Sequence, residues 1–158
     1  MAKKNDGKKA FLNSYLEARL EALEVSEELN SLYTSALPSG ISYGGVGSGS
    51  PVPHGLEAVF SRIDEVSRRL SGRIDASVQV REEVARCIDA LPQDAERKVM
   101  RMRYLSLREK KVRGRVIGYC HKSFGEIAEA LNYSYRYVLE VHGRALEDLE
   151  VPNMSEKR

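Results

Sequence analysis

"EIAEALNYSYRYVLEVHGRAL" occupies residues 126–146, and its middle decides how the chain is read. An apolar-periodic run stops at Leu131, three polar positions follow (Asn132, Tyr133, Ser134), and helical spacing resumes at once. Ser123-Phe124-Gly125-Glu126 has the S-x-x-E form of a capping box, which predicts a helix start. Phe124, Ile127, Ala128 and Leu131 lie at i, i+3, i+4 and i+7, a stripe for burial. Asn132 falls where that helix must end, and Asn accepts left-handed backbone better than most non-glycine residues. Ser134 is a good N-cap for a second helix, whose buried stripe is Val138, Val141, Ala145 and Leu149. The spacing adds detail. A small residue, Ala128, stands where the second helix crosses the first. The turn residue Asn132 comes four positions later, and apolar Val138 six beyond that. That is the spacing of a helix-turn-helix, which leaves the outer face of its second helix free to enter a DNA major groove.

Working outward, the residues just before this motif are basic. The net charge of the 158-residue chain is only +2, but residues 92–123 carry ten Lys or Arg against three acids, whereas residues 124–150 carry two against six. Clustered positive charge of this kind is the electrostatic footprint expected for a polyanion. Pro92 fits the first turn of a helix. Ala95, Val99 and Met102 would share one face of it, with Arg97, Lys98 and Arg101 as a basic ridge opposite. The basic insertion 106–122 follows. Gly114 and Gly118 punctuate its β-prone pieces, so a small β-hairpin and an irregular loop both fit.

Further out, Phe11–Leu37 reads as a helix with Leu12, Leu16, Leu20 and Leu23 as its stripe. Residues 38–55 hold six Gly, three Pro and four Ser, a composition that reads as a flexible connector. From Leu56 the apolar positions Val59, Ile63, Val66, Leu70, Ile74, Val78, Val84, Ile88 and Leu91 approach a heptad seam. Two such helices pair as an antiparallel hairpin or, equally well by pattern, with a second copy as a homo-oligomer. Residues 1–10, with four Lys, read as a disordered tail or as an arm for phosphates, and 151–158 as a second tail. The expected layout is all-α: a helical hairpin over 11–91 and a DNA-binding domain over 92–150.

Several classes are disfavoured. No run approaches the length of a membrane span, and nothing at the N-terminus reads as a signal peptide. Cys87 and Cys120 form no metal-ligand spacing, so reduced thiols in a cytosol are expected. Gly44–Gly49 lacks the following Lys and helix start of a phosphate loop. No nucleophile–base pair stands out, so the chain reads as a non-enzyme with no cofactor and no metal.

"LPQDAERKVMRMRYL" (91–105) followed by "SFGEIAEALNYSYRYVLEVHGRALEDL" (123–149) resembles region four of bacterial sigma factors. The likeness includes the closing Arg144-Ala145-Leu146-Glu147-Asp148-Leu149, and the basic insertion interrupts it. The chain is also similar to small phage transcription regulators related to late-gene regulators of the ArpU and RinA kind. The resemblance implies double-stranded DNA as partner, with Tyr135, Arg136, Leu139 and Glu140 at the base-reading positions. Leu139 and Glu140 stand where sigma factors carry Arg and Gln, so the usual −35 hexamer is not the expected target. Arg103 matches a phosphate-contacting arginine; Arg101 lies on the basic ridge beside it. Lys122 and Ser123 are placed for phosphate. Tyr133 and Tyr137 either contact phosphate or pack at the helix junction. The resemblance also implies the bacterial host cytoplasm as the place of action and host RNA polymerase as an alternative partner. A small terminase-like packaging protein is a further alternative.

Overall fold

In a computed structural model the described residues are 2–36 and 54–152, with side chains described from Asn5 and from Leu56. They are mostly helical. Five α-helices run in chain order: α1 (Ala2–Ala36), α2 (His54–Asp89), α3 (Asp94–Met100), α4 (Phe124–Leu131) and α5 (Tyr135–Asp148). Strands β1 (Arg108–Val112) and β2 (Arg115–Cys120) pair antiparallel between α3 and α4. No helix among the described residues is long and apolar enough to cross a membrane.

The long helices α1 and α2 lie side by side in opposite directions. Glu28 of α1 meets Arg62 and Arg69 of α2, while the earlier Glu21 meets the later Arg73. Near the start of α1, Leu12 and Tyr15 share a core with Val84 and Ile88, near the end of α2. The seam on α2 is a strict heptad: Ile63, Leu70, Ser77, Val84 and Leu91 are seven apart, and all but half-buried Leu70 are buried. This corrects the expected seam. Ile74 and Val78 are half exposed, because Ser77 takes the position between helices; on α1, Leu20 is exposed too. Ser77 is small, and its hydroxyl donates to the Ile74 carbonyl at 2.7 Å, so burying it strands no donor.

Three other expectations change. The helix read from Phe11 starts at Ala2, so residues 2–10 are not a disordered tail. There Lys8 Nζ donates to the Leu146 and Glu147 carbonyls at 2.7 and 2.9 Å, a cation at the open C-terminal end of α5. Of the connector expected at 38–55, residues 54 and 55 belong to α2, and the rest lies outside the described residues. Most of the 151–158 tail lies outside them as well. The division at 91/92 does not separate two cores. Leu12, Ile88 and Leu91 pack with Met100, Tyr104, Leu105, Leu146 and Leu149 in one cluster, so the α1–α2 pair roots in the C-terminal part.

The basic helix is also shorter than its pattern. α3 ends at Met100 and widens into a π turn over Arg101–Leu105, where the Ser106 N–H donates to the Arg101 carbonyl, i+5 to i, at 3.0 Å. The extra residue in that turn lets Tyr104 and Leu105 be buried together. The basic insertion then forms a β-hairpin. Val112 faces Arg115 across a two-residue turn, Arg113-Gly114, and an irregularity in register follows Lys110.

Candidate nucleic-acid interface

The junction of α4 and α5 is built by its caps. Ser123 Oγ accepts from the Glu126 N–H at 3.1 Å, and a Glu126 carboxylate oxygen accepts from the Ser123 N–H at 3.2 Å. Asn132 ends α4 with φ 57° and ψ 41°, the left-handed region, and the Tyr133 N–H reaches back to the Ala128 carbonyl at 2.9 Å. Ser134 Oγ accepts from the Tyr137 N–H at 3.1 Å and starts α5. Ile127, Ala128, Val138 and Val141 then bury together with Val99 of α3. Loss of one such N-cap typically costs about 1 kcal/mol.

This packing fixes which side of α5 faces outward. At 100° per residue, Arg136, Glu140, Gly143 and Glu147 lie opposite the buried stripe. Tyr135 is 57% exposed, Leu139 40%, and the Arg136 side chain 90%. All four expected base-reading residues are therefore gathered on one accessible face. Arg136 is not bare, however: its Nε lies 3.2 Å from Glu140, an exposed i,i+4 pair. Gly143 sits mid-helix on the same face, where an added Cβ would meet nothing within 4 Å.

The expected phosphate contacts divide. Arg103 is half-buried: it donates to the Lys122 carbonyl at 2.5 Å, and its guanidinium stacks 4.4 Å over the Phe124 ring. It ties the π turn to the start of α4 and has little left for solvent. Arg101 makes a two-pronged ion pair with Asp89 at 2.5–2.8 Å. The Ser123 hydroxyl is spent on its cap. Tyr133 and Tyr137 meet edge to face at 5.1 Å, with Tyr133 half-buried and Tyr137 37% exposed, so they pack at the helix junction. Lys122 has no carboxylate partner among the described residues.

The whole basic segment follows the same division. Arg97 and Lys98 pair with Asp94, Arg108 with Glu126, and Lys111 with Glu109. The Lys98 ammonium in turn holds the Asp94 carboxyl below its ordinary value. With Arg101 and Arg103, six of the ten cations are committed. The other four, Lys110, Arg113, Arg115 and Lys122, have no carboxylate partner among the described residues, and all lie on the β-hairpin or its exit. The hairpin is held along one side. His121 Nε2 lies 2.9 Å from Asn13 Oδ1, and Arg19 donates to the Tyr119 hydroxyl at 2.8 Å while stacking on that ring. Arg115 lines a cleft with Asn30, Ser31, Thr34 and Ser35. So β2 is laid along α1, while every residue of β1 is exposed. At the tip both Arg113 (φ 52°) and Gly114 (φ 78°) are left-handed. Asn-Gly and Asp-Gly are the usual occupants of such turns. A residue bearing a β-carbon is strained in this region by roughly 1–2 kcal/mol.

Compared with protein-family models, curated proteins and solved structures, the chain matches none.

Behind the interface lies a cluster that sequence reasoning missed. Tyr104, buried in the π turn, stacks on His142 of α5, and its hydroxyl lies 2.8 Å from His142 Nε2. Phe124 meets His142 edge on, and His121 Nδ1 faces the Arg103 carbonyl at 3.0 Å. Burial, then the positive charges of Arg103 and Lys9, lower the His142 pKa to about 4, so the ring is neutral at pH 7. Burial and Arg103 lower His121 likewise. These residues come from α1, the π turn, the exit of β2, α4 and α5, and no local pattern joins positions so far apart. The Arg113-Gly114 turn did leave a signal: a glycine two residues after one β-prone run and directly before another.

Proposed function

We propose that the chain is a sequence-specific binder of double-stranded DNA, in which α4 and α5 act as a helix-turn-helix and the α1–α2 pair is a helical hairpin bracing it. The observation that carries this reading is the Asn132 junction. It locks α5 against α4 through two capped termini and a shared core, yet leaves Tyr135, Arg136, Leu139 and Glu140 on one accessible face. A rigid helix presenting its first two turns is what major-groove reading requires. On this reading Arg136 takes a guanine edge, Leu139 meets a thymine methyl and Glu140 accepts from a cytosine amine. The role is transcription regulation, in line with the resemblance to sigma region four and to phage late-gene regulators. Binding is the whole of its chemistry.

One observation favours a second reading. The outward face of α5 beyond Glu140 carries Glu147 beside Arg144, and α4 adds exposed Glu129, so this surface is short of the positive charge that phosphates around a deeply inserted helix would need. A surface with exposed Tyr135 and Leu139 inside an acidic rim also suits a protein partner such as RNA polymerase. Selection of duplexes from a randomised pool separates the two. The DNA reading predicts a recovered motif that relaxes at one position in Arg136→Ala, where a good arginine–guanine contact discriminates by about 1–3 kcal/mol. A pool that stays random with the parent chain would favour the protein partner.

A further inference from the structure

We propose that the tip of the β1–β2 hairpin is a second DNA-contacting site, at which Arg113 grips the sugar–phosphate backbone beside the segment read by α5. The proposal rests on the DNA-binding reading above. Three observations carry it. The first is charge. Lys110, Arg113 and Arg115 lack a carboxylate partner among the described residues, and they cluster around one turn, whereas most cations of the preceding helical stretch are neutralised. The second is conformation. Arg113 holds a left-handed backbone that Asn, Asp or Gly would adopt with less strain. The fold has no internal use for an arginine there: it makes no hydrogen bond or ion pair among the described residues. A strained residue that serves no contact of its own fold points to an external ligand. The third is rigidity. β2 is fastened to α1 through Tyr119, and through His121 just beyond it, so the base of the hairpin is held in place before any ligand arrives.

The dimensions fit a backbone contact set apart from the groove. The six residues of β2 span about 20 Å, which places the tip at that distance from the start of α4. Along a duplex this is about six base pairs, at 3.4 Å per step. A phosphate gripped by the tip would then lie up to about half a helical turn from one at the start of α4. Phosphate is the chemistry the tip recognises. It offers cations and no side-chain acceptor that could tell one base edge from another. The exposed Val112 and Ile117 flank it as a short apolar rim against the sugars.

The test uses the full chain and two unrelated duplexes of about 30 base pairs, roughly three helical turns. Dissociation constants are measured across a salt series for the parent, Arg113→Asn and Arg113→Lys. Asn accepts the left-handed turn, so Arg113→Asn should melt no lower than the parent. It should bind both duplexes about tenfold more weakly at ~0.1 M salt, with the slope of log K against log salt smaller by about one. Arg113→Lys should restore most of the slope, since the charge is retained. A parental slope and affinity in Arg113→Asn, from a parent that binds, would overturn this inference and leave the DNA reading standing. A parent that binds neither duplex at any salt would overturn both.

Discussion

Two stretches of this chain carry the same kind of charge and use it differently. From α3 through the π turn, Arg97, Lys98, Arg101 and Arg103 all find partners: carboxylates of Asp94 and Asp89, the Leu91 and Lys122 carbonyls and the Phe124 ring. A few residues on, Lys110, Arg113, Arg115 and Lys122 find no carboxylate. The contrast teaches that density of charge along a sequence is not charge available to a ligand. A helix offers neighbours at i,i+3 and i,i+4, so its cations are readily neutralised by their own element. A two-stranded hairpin with one strand facing solvent offers fewer: Arg108 and Lys111 pair with Glu126 and Glu109, and the cations around the turn have no carboxylate. The first stretch holds the fold together; the second is what a polyanion would meet.

The sharpest attempt to break that contrast removes the second stretch. Replacing Lys110, Arg113, Arg115 and Lys122 together with Ala should lower the salt slope of DNA binding by about three to four. At ~0.1 M salt that amounts to roughly a thousandfold in affinity. Melting should change little, because no partner is orphaned. Binding isotherms across salt, paired with a thermal melt, check both halves.

The converse removes one cation of the first stretch. Arg103→Ala should destabilise the chain by about 1–2 kcal/mol, since it leaves the half-buried Lys122 carbonyl without its donor and uncovers Phe124. Arg103→Lys should recover only part, because an ammonium cannot both stack flat and donate in the guanidinium geometry. Denaturant titration reads this directly. A destabilisation below about 0.5 kcal/mol, with a large loss of salt slope, would place Arg103 on the DNA instead.

A smaller effect sharpens the view that α3 belongs to the fold. Glu96 is fully buried between α3 and α5, and its carboxylate oxygens make no hydrogen bond. Burial, and then the nearby Asp148, raise its pKa. A carboxyl whose folded pKa lies above its unfolded value binds its proton more tightly when folded. Its contribution is therefore most favourable at low pH and is lost as pH rises through the folded value. Glu96→Gln should accordingly stabilise the chain at pH 7 by on the order of 1 kcal/mol, with the gain fading toward pH 4. A constant gain across that range would show that ionisation is not the cause. The smallest expected effect is that of Arg101→Ala. The exposed Asp89 pair is worth about 0.5 kcal/mol, and the salt slope should stay put; a drop of about one would return Arg101 to the interface.

What was legible in the sequence was local. The S-x-x-E box, the αL-tolerant Asn132, the Ser134 cap and the stripe Val138–Leu149 each depend on residues within a turn or two, and each is found where the spacing put it. The hairpin was half legible: glycine positions allowed it, but pairing against a loop is decided by contacts to α1 that lie about a hundred residues away. The α2 seam slipped because hydrophobicity ranks Ile74 and Val78 above Ser77, whereas helices packed closely favour a small side chain. The shared core across 91/92 and the Tyr104–His142 cluster were hidden because they join helices distant in the chain. Arg103 was placed on phosphate by resemblance, and only the position of Phe124 shows why it turns inward.

The central claim is that this chain holds duplex DNA through α5 and the hairpin, and the most direct measurement is hydroxyl-radical footprinting. The duplex is one selected by the parent chain, and the protections given by the parent and by the fourfold hairpin variant are compared. A central protection that both share, from α5, and a separate flanking patch that only the parent gives are expected. A parent that protects nothing, or a variant whose pattern is identical to the parent's, would contradict it.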